Sequence, residues 1–485
     1  MPNIVRRVAL IAAAAAVLLA GAAAPARAQE DSEVVSLLRE LIRLNTSNPP
    51  GNEAAVAALL QARLAPLGFE VEVIPTPTAG KAHLIARLRA ANPTEKPLLL
   101  AGHADVVGVE PELWQRDPFG GIVSGGYVYG RGAMDFKGGL AAFTVAASRL
   151  AREQVALKRD IILLAEADEE GGLYGTSWLA ENFWEKIDAG VSLNEGGWVF
   201  GDGDGGARFM GITTIDKNSL SVTFRTRGTS THSSRPLPDS ALRRLVRALD
   251  RIERYSTRAR ITPTARRYLR TWARAYGGRT GRLLRRLTAT RRAAERDRLA
   301  DRAARRPWGE LFEPLVRSIF VPTILEGGFR ANVLPGTAEA TVNMRMLPGQ
   351  EPRPLIRELR RAIADPRVTV TPIVSGDNTV EETLDGFDER AALAPSPLGT
   401  DLYRSLVRQA RAQWSGVRVT PALFEAGTDA YPWRSRGIPV YGVYPYPISR
   451  ADLERMHGND ERVPVRGLEQ GTDWIERVLR EVAGA

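Results

Sequence analysis

The spacing of apolar positions changes several times along the chain, and each change predicts an element. Between residues 33 and 43, Val35, Leu38, Leu41 and Ile42 keep helical spacing. The run "NTSNPPGN" (45–52) breaks that pattern, the next twelve residues restore it, and "FEVEVI" (69–74) alternates with the period of a strand. Further strands are expected at "HLIARL", "PLLLAGH" and "DIILLAEADE", with "GGLAAFTVAASRLARE" as a helix between the last two. Strands as apolar as "IILLA", alternating with helices, predict an α/β domain built on a mixed, largely parallel and largely buried sheet.

From about Asn218 the texture changes. "SLSVTFRTRG" reads as a strand, "DSALRRLVRALDRIERY" as a helix, "SIFVPTILEGG" and "TAEATVNMRML" as strands, "PRPLIRELRRAIA" as a helix and "RVTVTPIV" as a strand. That β-α-β-β-α-β order predicts a ferredoxin-like α+β unit inserted into the larger domain. The expected division is 29–216 with 377–485 for the larger domain and 217–376 for the insert. A helical, arginine-rich stretch at about 257–310 interrupts the insert. After it the chain returns through a helix at "LYRSLVRQARAQW", a strand around "VTPALFEAGTDA" and a closing helix "GLEQGTDWIERVLREVA".

Composition alters the picture in three places. The first 28 residues carry Arg6 and Arg7, an apolar stretch from Val8 to Ala24 and the small-x-small sequence Ala26-Arg27-Ala28. This is the pattern of a secretory signal peptide cut after Ala28, so a periplasmic or secreted protein is expected. No later segment is apolar enough over a sufficient length to predict a membrane span. The absence of cysteine excludes disulfides, thiolate ligands and a cysteine nucleophile, so any zinc site must draw on His, Asp and Glu. The net charge of +10 is local: residues 251–310 hold nineteen arginines against five acids, leaving the remainder at −4. Nucleic acid is therefore not an expected partner. A solvated helical face is the plainest reading of the arginine block; a dimer surface, a lid and a patch for anionic polymers are the others.

The candidate chemistry gathers where strands end, because ligands of open α/β sheets bind at the carboxyl edge. His103 and Asp105 follow "LLLAG". Asp135 lies in the glycine-rich "GRGAMDFKGG", and "ADEEGG" brings Glu169 and Glu170 after "IILLAE". Glu195 sits in "VSLNEGG" and His457 in "RMHGNDERVP". Each alone has a plain reading as a helix cap, a glycine turn or a solvated loop. Together, acids at successive strand ends would repel one another unless a cation neutralised them, and two imidazoles with several carboxylates suit Zn²⁺, with Co²⁺ or Mn²⁺ as alternatives. His83, in "AHLIARL", belongs to no motif and is read as a strand histidine without a catalytic role.

The ordered set "GHADVV", "GRGAMDFKGG", "ADEEGG", "GTSTHSSRP", "ANVLPGTAEATVNMR", "GTDA" and "HGNDERVP" resembles the dinuclear metallopeptidase family of aminoacylase, glutamate carboxypeptidase, carboxypeptidase S and succinyl-diaminopimelate desuccinylase. The likeness runs from about residue 31 to 485 and implies a zinc-peptidase-like catalytic domain with an inserted lid or dimerisation domain. It implies two Zn²⁺ per chain, with Asp135 bridging, His103 and Glu195 completing one site, and Glu170 and His457 the other. Asp105 would orient His103, and the Asp135–Phe136 bond would be cis. Glu169 would be the general base for a metal-bridging water. His232, a loop histidine on any plainer view, would reach a partner subunit's site as oxyanion stabiliser. Asn332, Arg345, Gly427 and Thr428 would contact substrate, Arg345 through its fork on a carboxylate.

The implied activity is hydrolysis of the amide bond of a small peptide or N-acyl amino acid beside a free carboxylate, with a homodimer formed through the insert. The rival from another class is a binding protein for anionic polymers that uses the arginine block.

Overall fold

The computed structural model describes residues 31–203, 205–374, 376 and 378–485. The expected signal peptide at 1–28 lies outside the described residues. Ten strands form the main sheet. Its middle is parallel: Ile161–Glu166, Leu98–His103, Val191–Asn194 and Val440–Gly442 lie side by side in that order. Antiparallel strands flank them, with Ala82–Leu88 and Glu70–Pro75 on one side and the long Ala207–Asp216 on the other. Arg418–Phe424 pairs in parallel with that long strand.

The apolar run Leu98-Leu99-Leu100 explains why the centre of this sheet is covered on both faces. Leu98 and Leu100 join the large core beneath helices Lys137–Arg152 and Val465–Ala483. Leu99 and Ala101 point the other way, into a second cluster with Leu179, Trp433 and Val440. Alternation at period two sends successive side chains to opposite faces, so a strand with no polar position needs an apolar layer on each.

Past Asp216 the chain runs through Lys217 directly into Asn218–Arg227, the first strand of a separate four-stranded sheet. The order there is Ile319–Gly327, Thr337–Met346, Asn218–Arg227, Thr369–Pro372, with every pairing antiparallel. Leu220, Val222, Phe224, Val342 and Met344 face helices Ala241–Glu253 and Pro352–Ile363 and form a core of their own. The alternate positions Ser219, Ser221, Asn343 and Arg345 make the other face polar.

Two features depart from the linear reading of the sequence. The arginine-rich block forms helices Pro263–Tyr276, Gly278–Ala289 and Ala293–Ala304, yet their apolar stripe packs on the large sheet. Tyr268 and Trp272 meet Phe209 edge-on at centroid distances of 4.9 Å, and Trp272 meets Phe200 at 5.4 Å. The small core is already closed by its own two helices, so the block finds its apolar partner on the neighbouring layer. Conversely, helix Val380–Ala391 buries Leu384 against the small core. By packing, the chain returns to the large layer only after Ala391, later than the change at residue 377 suggested by the sequence.

Candidate metal centre

His103 is the last residue of its strand, and its register partner on the adjacent parallel strand is Glu166. Both strands therefore deliver polar groups to one edge of the sheet. The His103 ring is 2 % exposed. Its Nδ1 lies 2.9 Å from the backbone carbonyl of Asp105, a contact that requires Nδ1 to carry a hydrogen and leaves Nε2 as the free lone pair. That Nε2 faces Asp135 Oδ1 at 3.2 Å and Glu195 Oε2 at 3.5 Å. A lone pair turned toward two carboxylates is repulsive unless a proton or a metal ion stands between them.

The second half of the cluster comes from far along the chain. His457 Nε2 lies 2.9 Å from Asp135 Oδ2 and 3.1 Å from Glu170 Oε1. Single ligand atoms of His103, Asp135 and Glu170 all fall within 4.8 Å of one another. Asp135 thus turns one carboxylate oxygen to each histidine, and the Asp135–Phe136 bond is cis, as the resemblance implied. This donor set, two imidazoles and three carboxylates, fits divalent metal ions of the zinc class.

Charge in the cluster is correspondingly tense. Burial opposes the imidazolium of His103, yet Asp105, Asp135 and Glu195 push its pKa well above the usual value. Burial likewise works against His457, and Asp135 with Glu170 nevertheless raise it to about 10. Burial, the histidine beside it and Asp135 leave Glu195 at about 7. Burial pushes Glu169 well up, with the Glu195 charge adding to it. A cation would take over the neutralising role that protons otherwise fill.

The supporting groups were mostly invisible in the sequence. The carboxylate of Asp105 accepts from the backbone N–H of Glu169 (3.2 Å) and of Glu170 (2.9 Å) and from Asn48 Nδ2 (2.8 Å). Its side chain, 3.7 Å from His103 Nδ1, therefore fixes the Glu169–Glu170 turn, while its carbonyl orients the imidazole. Below it, Lys81 pairs with Asp168, which sits at φ +64° and also bonds Asn48. His83 takes the backbone N–H of Ala167 on Nδ1 and donates from Nε2 to the Tyr174 carbonyl (2.8 Å), so it braces the loop that carries Glu169.

Glu461 binds the backbone N–H of Met134 and Asp135 at 2.8 and 3.1 Å and Arg131 at 2.7 Å. Arg131 in turn reaches the His457 carbonyl at 3.3 Å. The Tyr444 hydroxyl lies 2.8 Å from Asp135 Oδ1 and 3.2 Å from Glu195 Oε2, with its ring stacked on Trp198. No spacing or motif singles out Tyr444; only the folded chain does. Glu166 is fully buried, and neither of its carboxylate oxygens has a hydrogen-bond partner among the described residues.

The expected substrate contacts divide into two groups. Arg345 lies on the polar face of the small sheet, opposite Ser219, and its guanidinium has no ion pair or hydrogen bond among the described residues. Burial lowers its pKa, and the charge that acts back on it is Glu169, so it faces the acid cluster. Thr428 donates to Asp216 at 2.8 Å and, with Gly427, lines a cavity where the chain crosses from the large sheet to the small one. His232 and Asn332 lie instead on an exposed two-stranded ribbon, Thr231–His232 against Val333–Leu334. The His232 ring meets Ser234 there (2.8 Å), and the Asn332 carbonyl accepts from the backbone of Ser233 (2.9 Å).

Residues 99–481 match the sequence pattern of Peptidase family M20/M25/M40. Among curated proteins, human N-fatty-acyl-amino acid synthase/hydrolase is 25% identical over 411 residues, 81% of this chain and 75% of its own length. Succinyl-diaminopimelate desuccinylase of Methylobacterium sp. (strain 4-46) is 43% identical over 142 residues, 28% of this chain and 35% of its own. Among solved structures, an M20 family metallo-carboxypeptidase of Sulfolobus solfataricus superposes with a TM-score of 0.68 at 18% identity, covering 93% of this chain and 99% of that one. Human carnosine dipeptidase 1 gives 0.65, also at 18% identity, with 93% and 96% covered.

Proposed function

The chain belongs to peptidase family M20/M25/M40, a family of metal-dependent hydrolases, and from that premise we propose that it cleaves the amide bond of a small peptide or N-acyl amino acid beside a free carboxylate. The observation that carries this reading is that Glu169 and Arg345 lie within electrostatic reach of each other without forming an ion pair. One is a carboxyl group held at the acid cluster by the grip of Asp105 on its backbone; the other is an unpartnered guanidinium facing it.

In this reading His103, Asp135 and Glu195 would hold one zinc ion, and Asp135, Glu170 and His457 would hold a second. When bound, such ions would polarise the substrate carbonyl and lower the pKa of the attacking water. Glu169 takes the proton from that water and returns it to the departing amine nitrogen, so proton and leaving group balance within one catalytic cycle. Arg345 anchors the free carboxylate as a planar fork. Its position on the small sheet makes that sheet one wall of the cleft, in keeping with an inserted ferredoxin-like lid over the zinc-peptidase-like domain.

We further propose an exported protein and a homodimer formed through the small sheet. Ile319–Gly327 is an edge strand, and Val321, Ile324 and Leu325 are exposed along it, a combination that invites pairing with another strand. A dimer would also give the exposed His232 a partner site to enter.

The test is a panel of dipeptides and N-acyl amino acids offered to purified, zinc-loaded protein, with metal content measured in parallel. Release of a free amino acid at about two metal ions per chain is the expected result. Two bound ions with no hydrolysis across the panel would overturn the activity; failure to bind metal would overturn the centre.

A further inference from the structure

The loop that carries Glu169 and Glu170 closes on a side chain of its own. Asp168 opens it at φ +64°, and the residues that follow turn back over the Asp168 carboxylate. Tyr174, at the far end, donates its backbone N–H to Asp168 Oδ2 at 3.1 Å. Midway, a Cβ placed on Gly172 would lie 1.8 Å from Asp168 Cγ and 2.1 Å from Oδ2, so the backbone there rests against the carboxylate itself. No positive φ calls for glycine at 172; the carboxylate does.

That carboxylate cannot swing aside. Its Oδ1 is paired with Lys81 and accepts from Asn48 Nδ2 at 3.0 Å, and both Lys81 and Asp168 are buried. Asn48 is used in full. One amide hydrogen goes to Asp168, the other to Asp105 Oδ2 at 2.8 Å, and its oxygen accepts from the Lys81 ammonium at 2.8 Å. Reversing that amide would turn its oxygen toward two carboxylates, so its orientation is fixed. The Asp105 carboxylate in turn takes the N–H groups of Glu169 and Glu170. The loop is thus gripped at its start through Asp105 and at its middle and end through Asp168, with Asn48 tying the two acids together. Stripping a buried carboxylate of these donors costs more than shifting residues 171–173, which are exposed.

We propose that Asp168 is a positioning residue: its carboxylate is the post around which this loop is wound, Lys81 and Asn48 hold the post, and together they set where the Glu169 and Glu170 side chains stand. The inference rests on the hydrolase reading above and adds to it how the proposed base and the proposed ligand are kept in step. All three partners of Asp168 are donors, so the post must accept on both oxygens. The neutral isostere asparagine would turn an NH2 group toward at least one of them. An ordinary internal ion pair contributes to stability alone. A post passes any displacement on to Glu169 and to the Glu170 side of the centre, and leaves His103 and Glu195 in place.

The experiment follows Gly172→Ala and Asp168→Asn in the full chain. Zinc affinity is read by competition with a chromophoric chelator, beside melting temperature and turnover of the fastest substrate in the panel above. Gly172→Ala should leave the melting temperature unchanged, yet weaken one of two zinc sites by about 10- to 100-fold and spare the other, as loss of an outer support does. Its kcat should fall by a similar factor with KM within about twofold, since Arg345 stands on the other sheet. Asp168→Asn should show the same pattern with a lower melting temperature. In an Asp168→Ala chain, adding Gly172→Ala should change nothing further, because the group it strikes is gone. Where the Asp168 variants do not fold, Gly172→Ala decides alone. Normal zinc affinity and kcat in Gly172→Ala, or an equal loss from it with and without Asp168, would overturn the inference and leave the hydrolase reading intact. If no substrate is cleaved, the hydrolase reading falls and zinc affinity decides the post. A parent chain that binds no zinc would overturn both.

Discussion

Two regions of this molecule concentrate charge, and they handle it in opposite ways. At the carboxyl edge of the main sheet, Asp135, Glu166 and Glu195 are buried beside the partly buried Glu169, with His103 buried among them and the half-exposed His457 at the rim. In the arginine-rich helices, Arg279, Arg282 and Arg302 point into water, while Tyr268, Leu269 and Trp272 fill the underside. The acids of that block are spent locally, Asp301 on Arg317 and Glu295 on Arg286. A run of like charge is therefore no guide to chemistry by itself. What matters is whether the fold removes the water that would otherwise screen it.

Substitutions in the two regions should differ accordingly. The largest effect belongs to Glu169→Gln. It should lower kcat by about 10²- to 10⁴-fold with metal content unchanged, measured by steady-state kinetics beside elemental analysis; near-normal turnover would remove the general base from the mechanism. Next comes Trp272→Ala, beneath the arginine face, expected to cost about 3–5 kcal/mol in denaturant unfolding because it opens a cavity against Phe200 and Phe209. A smaller value would mean that the block is only loosely attached to the large sheet.

Glu53, buried below the acid cluster, sharpens the contrast through pH. Burial and the neighbouring Asp105 raise it to about 7 from 4.5. Below pH 4.5 both folded and unfolded chains hold the proton, so nothing is lost. Between 4.5 and 7 the unfolded chain ionises first, and stability falls by up to roughly 3 kcal/mol. Glu53→Gln should therefore match the parent at about pH 4 and exceed it by about that amount at about pH 8, read from urea midpoints. The least effect is expected for the double change Arg282→Ser with Arg302→Ser, under about 0.5 kcal/mol for each site and without change in kcat/KM. A clear loss of activity there would show that the exposed face reaches the cleft.

How much of this was readable beforehand follows the same division. His103, Asp135, Glu170, Glu195 and His457 could be singled out because each sits at a strand end or in a loop beside glycine, but it was the family resemblance, not their spacing, that implied they act together. The six elements of the small sheet and its helices were legible from alternation and helical spacing. Tyr444, Asn48 and Lys81 were not, because a hydrogen bond between distant parts of the chain leaves no local period. Trp272 declared itself apolar, but nothing in its neighbours could say which sheet it would meet.

The contact between His457 and Asp135 spans 322 positions of sequence. During synthesis, almost everything that shapes the centre must already be made before this second imidazole appears, so the acids spend that interval without it. Long-range contacts of this kind form late, once loop-closure entropy has been overcome elsewhere. If the centre holds metal as proposed, its capture would be a final inspection of the finished chain: a copy cut short before Met456 would still carry every strand described for the main sheet but lack His457.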